Sequence, residues 1–382
     1  IRIPTSGREV ERAQPRCACA ARDEGRGSVS GFEARLTPGP LHRLDGLLAE
    51  SGWATSPVRA YERDRLKVPK RWIREWDRYL VHDDEFVVIL SVADLGHVGF
   101  ASASVVDFSQ AASHTASVVV PFPLGRFGLP ASSDAGATSF ESGRTSFLFE
   151  VGDGFRRLKV RFTSFDGNDD LAFEAVLDEE PRDSAVVSTL TGEDSLAFRY
   201  SRKTFAMRVR GSLKKGLLVH GFCPDNSFGA LDWGRGAWSR WGDWRWAAAQ
   251  GWQEGRRFGL SLGCGPGGAS AVSESAAFVD GAAHRLSGVD FAIPERTGGA
   301  RARRLSDRYQ LMRPWRLGDA EGRLDLVFTP LLDCAGHAGF DPLGVDRCQA
   351  FGRFDGSVAL DDGERFSVEA LLGFAEVARA AR

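Results

Sequence analysis

Apolar and polar residues alternate with a period of two along most of this chain. Phe147, Phe149 and Val151 are separated by polar neighbours, and Leu171, Phe173, Ala175 and Leu177 repeat the pattern. In Leu158-Lys-Val-Arg-Phe162 the apolar side chains point one way and the basic ones the other. Such alternation marks antiparallel sheet with one wet face. Phe86 to Ala93 and Thr115 to Phe122 are more continuously apolar and read as buried strands. Asp153-Gly154, Asp166-Gly167, Asp280-Gly281 and Asp362-Gly363 supply tight turns. In the second half, strands are predicted at 196–200, 206–210, 217–222, 244–250, 258–262, 275–279, 289–293, 324–328 and 352–360. Two helices are predicted. Trp72 and Trp76 stand one helical turn apart, which places a short helix over Val68–Tyr79. Ser367 can cap a second, running through Leu371, Leu372, Phe374 and Val377.

Roughly fifteen to twenty short strands are too many for one small barrel. The expectation is therefore an all-β chain of two tandem antiparallel barrels or sandwiches with few short helices. A tail rich in Arg, Gly and Ser occupies 1–35, a first β unit 36–190 and a second 191–382, with the seam in the polar stretch Pro181 to Asp194.

Candidate chemistry concentrates between Asp225 and Trp252. Trp233, Trp238, Trp241, Trp244, Trp246 and Trp252 lie there, with Asp225, Asp232 and Asp243 threaded among them. Indole rings offer flat apolar faces that attract cations. A carboxylate dried by such rings is expected to have a raised pKa and to serve as a neutral acid. Asp232, in Leu-Asp-Trp-Gly-Arg-Gly, is the first candidate; a salt bridge with Arg235 is its structural alternative. Gly234 and Gly236 are expected to loosen a turn or admit a ligand. Glu274 falls in a small, apolar strand-like run whose alternation points it inward, so it is a second carboxylate; Asp225 is a third. Trp233, Arg235, Trp238, Trp244 and Trp246 line the expected pocket, and Trp76 and Asp94 are weaker candidates from the first half.

Composition narrows the classes. The net charge is −2, with 43% hydrophobic and 26% charged residues, as in a soluble globular protein with no drive toward nucleic acid. No apolar run reaches the length of a membrane span. Six scattered cysteines make no disulfide framework, and Cys17-Ala-Cys19 lacks partners at zinc spacing. A reduced cytoplasmic setting is expected. Gly263-Cys-Gly-Pro-Gly-Gly268 is no phosphate loop, no nucleophile elbow is present, and Asp341 to Asp346 lacks a calcium-loop pattern. Neither a cofactor nor a metal is expected.

From about Leu36 to Glu376 the chain resembles the bacterial domain-of-unknown-function 2804 family. The resemblance is carried by Glu75-Trp-Asp-Arg-Tyr79, Ser91-Val-Ala-Asp-Leu-Gly96, Pro121 to Pro130, Phe228-Gly-Ala-Leu-Asp-Trp-Gly-Arg-Gly236, Arg257 to Gly263 and Leu371 to Glu376. That family is distantly similar to tandem lipocalin-like proteins, among them carotenoid hydratases and certain cyclases. The resemblance implies two lipocalin-like (calycin-like) units with a pocket between them, where Asp232-Trp233 and Trp244-Arg-Trp246 match an acid and indoles. Tyr200 and Lys203 match a further motif position, with Ser201 in place of the family's amide. Three functions follow as expectations: a small apolar ligand held between the units and hydrated, cyclised or isomerised by a lyase- or isomerase-type enzyme; a non-catalytic lipid or pigment carrier; and a carbohydrate-active protein using Asp232 and Glu274.

Overall fold

The computed structural model describes residues 34–180, 182–191, 194–238, 242–265, 272–334 and 346–379. Almost all of the expected tail, with Cys17 and Cys19, lies outside these residues, as do Trp241 and most of the Asp341–Asp346 loop.

Alternation becomes strand throughout. Short strands β1 (Gly39–Pro40), β2 (Gly52–Ala54) and β3 (Arg59–Ala60) come first. There follow β4 (Ile73–His82), β5 (Phe86–Asp94), β6 (Val98–Asp107), β7 (Ala112–Pro121), β8 (Ala137–Ser142) and β9 (Thr145–Gly152). Next are β10 (Phe155–Asp166), β11 (Asp169–Asp178), β12 (Ala185–Leu190), β13 (Phe198–Lys215), β14 (Leu218–Phe222) and β15 (Phe228–Ala237). Then come β16 (Trp244–Gln253), β17 (Arg256–Cys264), β18 (Ala276–Val279), β19 (Ala282–Arg285) and β20 (Asp290–Ala292). The last are β21 (Trp315–Gly318), β22 (Leu324–Asp333), β23 (Asp346–Ala359) and β24 (Arg365–Arg379).

Among the described residues the first sheet runs β7-β6-β5-β4-β15-β13-β11-β10-β9-β8, with β12 and β14 also on β13 and β2 on β12. The second runs β19-β18-β17-β16-β24-β23-β22-β21-β20. The chain leaves the first sheet after Ala237 and enters the second at Trp244. Strands β13 and β15, each laddered to first-sheet partners, thus complete the first unit rather than open the second.

Each sheet curls round its own apolar core. Val81, Leu90, Phe149, Leu158, Phe173, Val209 and Trp233 fill the first; Leu260, Trp315, Leu326, Phe354, Phe366 and Val377 fill the second. The first sheet nearly closes. Its end strand β7 forms no ladder with β10, and side chains span the gap: the His114 ring meets Phe165 edge-on at 4.9 Å, and His114 Nδ1 lies 3.5 Å from Asp166 Oδ1. The outer faces of the two sheets meet over a third apolar cluster containing Val87, Ile89, Phe205, Ala230, Phe278, Phe351 and Phe374. This is why β5 is buried on both faces. A bulge between Thr204 and Met207, with Ala206 at φ 57°, supplies Phe205 to that joint, where its ring stacks on Phe278 at 5.5 Å.

Both predicted helices are absent. Only a single 3-10 turn, Lys70–Trp72, precedes β4, and Trp76 lies within that strand. Position 73 and every second residue to Val81 are buried, so the period of two wins over the Trp72–Trp76 spacing. The C-terminal segment is strand β24, because it ladders with both β16 and β23. Its consecutive Leu371 and Leu372 are both buried, one residue past the left-handed Ala370.

Candidate functional site

Cross-strand register assembles the site. Lys203 on β13 lies opposite Asp232 on β15, and Asp232 lies opposite Arg78 on β4. Directly opposed residues share a face, so these three side chains form one charged row on the outside of the first sheet. Two positions along, Ser201, Gly234 and Trp76 form the next row. Gly234 and Gly236 are therefore strand residues, not a turn. A Cβ on Gly234 would lie 2.0 Å from the Trp76 ring, and one on Gly236 2.4 Å from Trp238: the glycines make room for indoles. Trp238 in turn meets Trp76 edge-on at 6.2 Å.

The second sheet brings Trp246, Glu376 and Gln349 to the junction as mutually opposed residues. Trp244 Nε1 donates to Glu376 Oε1 (2.9 Å) and Gln349 Nε2 to Oε2 (3.1 Å). Trp246 donates through Nε1 to Ser261 Oγ at 3.2 Å. Its ring takes the Lys203 ammonium 4.1 Å from its centroid and the Arg78 guanidinium carbon at 5.3 Å. The indole face expected to meet a ligand cation is thus already covered by the protein's own cations.

Lys203 joins the two carboxylates that the sequence singled out. Its Nζ donates to Asp232 Oδ1 at 2.9 Å and lies 3.9 Å from Glu274 Oε2. Trp76 Nε1 also donates to Asp232 Oδ1, at 3.3 Å. Glu274 precedes β18 without joining a ladder, accepts from Ser201 Oγ and sits 3.3 Å from Arg199 Nε. The expected neutral acid is not found here. Burial raises the Asp232 pKa, but Lys203 and Arg78, with the bonds from Lys203 and Trp76, carry it below the usual range. For Glu274, burial is likewise outweighed by Arg199, Lys203 and Ser201, despite repulsion from Asp232. Both are carboxylates at neutral pH. A carboxyl with a raised pKa does occur at Glu75, where burial outweighs Arg235 and Arg63; Glu75 accepts from Tyr61 Oη at 2.8 Å.

The remaining candidates lie elsewhere. Trp233 faces the interior of the first barrel, with the Arg235 guanidinium 4.4 Å over its ring and Tyr200 edge-on at 5.5 Å. Arg235 is fully buried and pairs with Asp77 (2.9 Å), not with Asp232. Tyr200 donates to the Arg59 carbonyl at 3.1 Å. Asp94 is fully buried and accepts from the Gly96 and Gly125 amides at 3.0 and 2.6 Å, which makes it the clamp of two turns. Asp225 is exposed in the turn before β15, at the opposite end of that strand from Gly234, and its carbonyl accepts from Trp252 Nε1 (2.6 Å). The sequence reading missed Arg78, Arg199 and Glu376. The one available signal was Arg78 standing two places from Trp76 in a period-two run.

Two antiparallel β units joined back to back, one curled almost into a barrel and the other half-open, define a tandem all-β protein. The chain belongs to the family described as domain of unknown function 2804 (DUF2804), whose model matches residues 33–381. No curated protein matches it. Solved structures similar to it include an AttH-type protein of Nitrosomonas europaea, at 14% identity and TM-score 0.49, over 85% of this chain and 98% of that one. Kievitone hydratase of Nectria haematococca is similar at 13% identity and TM-score 0.48, over 80% and 88% of the two chains. CghA with Sch210972 follows at 10% and 0.41, over 80% and 87%. Among the described residues no helix is long and apolar enough to cross a membrane.

Proposed function

We propose that this protein binds a small, largely apolar molecule where its two β units meet, and hydrates, cyclises or isomerises it there without a cofactor. One observation carries the reading. Asp232 Oδ1 is held by Lys203 and Trp76, while among the described residues Oδ2 accepts no hydrogen bond and is not sealed from solvent. A carboxylate fixed through one oxygen and open at the other is preorganised for a charge that develops during reaction. Because Lys203 and Arg78 keep it ionised, Asp232 acts by accepting a proton or by steadying positive charge, not by donating. Lys203 holds Asp232 and Glu274 in place and offers an ammonium N–H to a substrate oxygen. Trp76 supplies an apolar wall.

The carrier reading uses the same cleft and is favoured by neither carboxyl being held neutral. The same observation counts against glycosidic cleavage, which needs one neutral carboxyl.

Native mass spectrometry on wild type and Asp232→Asn separates the two. The enzyme reading expects the variant, folded as judged by circular dichroism, to retain a compound that wild type holds only in altered form, by the mass of one water or as an isomer. Identical retained compounds would leave a carrier. No retained compound in either, or an unfolded variant, would overturn the proposal.

A further inference from the structure

Arg78 stands in the middle of the junction without the partners that this chain gives its other buried arginines. Arg235 donates five hydrogen bonds, to Pro130, Trp76, Asp77 and Gly234. Arg156 donates three and Arg202 four. Arg78 is half-buried, lies opposite Asp232 and rests over Trp246, yet among the described residues it donates no hydrogen bond and enters no ion pair. Lys203 takes the Asp232 oxygen instead. The Arg78 nitrogens are not sealed off from solvent. Burial presses its pKa down; Glu376 pulls it back, Arg347 presses it further and Asp232 pulls again.

Arg347 comes from the other unit. It is exposed on β23, two places from Gln349 and therefore on the same face, and among the described residues it too has no hydrogen bond or ion pair. Around the junction, Lys203, Arg199, Arg78 and Arg347 face Asp232, Glu274 and Glu376, which leaves one positive charge in excess among these seven. A planar monoanion matches both the excess and the fork, since Arg receives carboxylate through two parallel N–H bonds. A doubly charged phosphate would be repelled by the flanking Asp232 and Glu376.

We propose that the ligand carries a carboxylate, received by Arg78 with Arg347 of the facing sheet, while its apolar body lies along Trp76. This rests on the junction being the ligand site.

Isothermal titration with 9-anthracenecarboxylate and its neutral methyl ester tests it. The acid is expected to bind about tenfold tighter than the ester. Arg78→Gln should remove that preference, read as the ratio of acid to ester affinity. Arg347→Gln, at an exposed side chain with no folding role, should weaken the acid several-fold by itself. If acid and ester bind equally, or neither variant changes their ratio, the carboxylate anchor is wrong. Ester binding that Trp76→Ala abolishes would in that event leave the junction standing as a ligand site. If neither probe binds, both readings fall.

Discussion

An aspartate among indoles feels two opposed forces, and which one wins depends on a neighbour 29 residues earlier in the chain. Drying the carboxyl favours its neutral form; Lys203, placed 2.9 Å away by strand pairing, favours the charged form and prevails. His42 shows the opposite balance. It is 3% exposed, its Nε2 has no partner and its ring meets Phe198 edge-on at 4.4 Å, so burial drops its pKa to about 4. The unfolded histidine, with a pKa of roughly 6.5, then binds the proton that the folded one refuses. The His42 contribution to folding stability, on the order of 1–3 kcal/mol, should be lost as pH drops from about 6.5 toward 4. Urea titrations across that range check this. His42→Leu should flatten the slope, and an unchanged slope would refute the assignment. The density of tryptophans drew attention to Asp232. The direction of the Asp232 shift was not legible, because Lys203 and Arg78 reach it only through register.

At the scale of the element, alternation identified most of the longer strands but not β6, β8, β12 or β15, and it failed where a local spacing imitated a helix. Trp72 and Trp76 suggested a turn of helix, but the buried positions from Ile73 to Val81 follow a period of two. The C-terminal run deceived for a different reason: from Leu371 on, β24 packs one face in the second core and the other in the joint between the sheets, so both faces are apolar and no alternation remains. Gly234 was read as loosening a turn or admitting a ligand because a sequence cannot show that the neighbouring strand lays an indole over it. Gly234→Val should drive the Trp76 ring off the sheet and away from Asp232. Such overpacking costs about 1–3 kcal/mol, to be read as a lower urea midpoint together with weaker binding of the anthracene ester. A variant as stable as wild type would mean that the ring does not lie over this strand.

For the whole molecule, a tandem β architecture was readable from strand number, whereas the point where the chain changes sheet was not. The polar stretch at 181–194 is a natural seam by composition, yet the strands after it ladder with those before it. What joins the sheets is apolar: Phe205, Phe278, Phe351 and Phe374 fill the joint beside the charged row. The two halves of the charged junction are therefore held together by packing.

The gap between β7 and β10 has its own consequence. A cylinder fastened along one line by a histidine and its neighbours, rather than stitched by peptide groups, has a zip. Solvent should enter there first. In deuterium-labelling experiments the outward amides of β7 should exchange orders of magnitude faster than those of β5, which is bonded on both sides. Equal protection of the two strands would mean that the zip is in fact sewn shut.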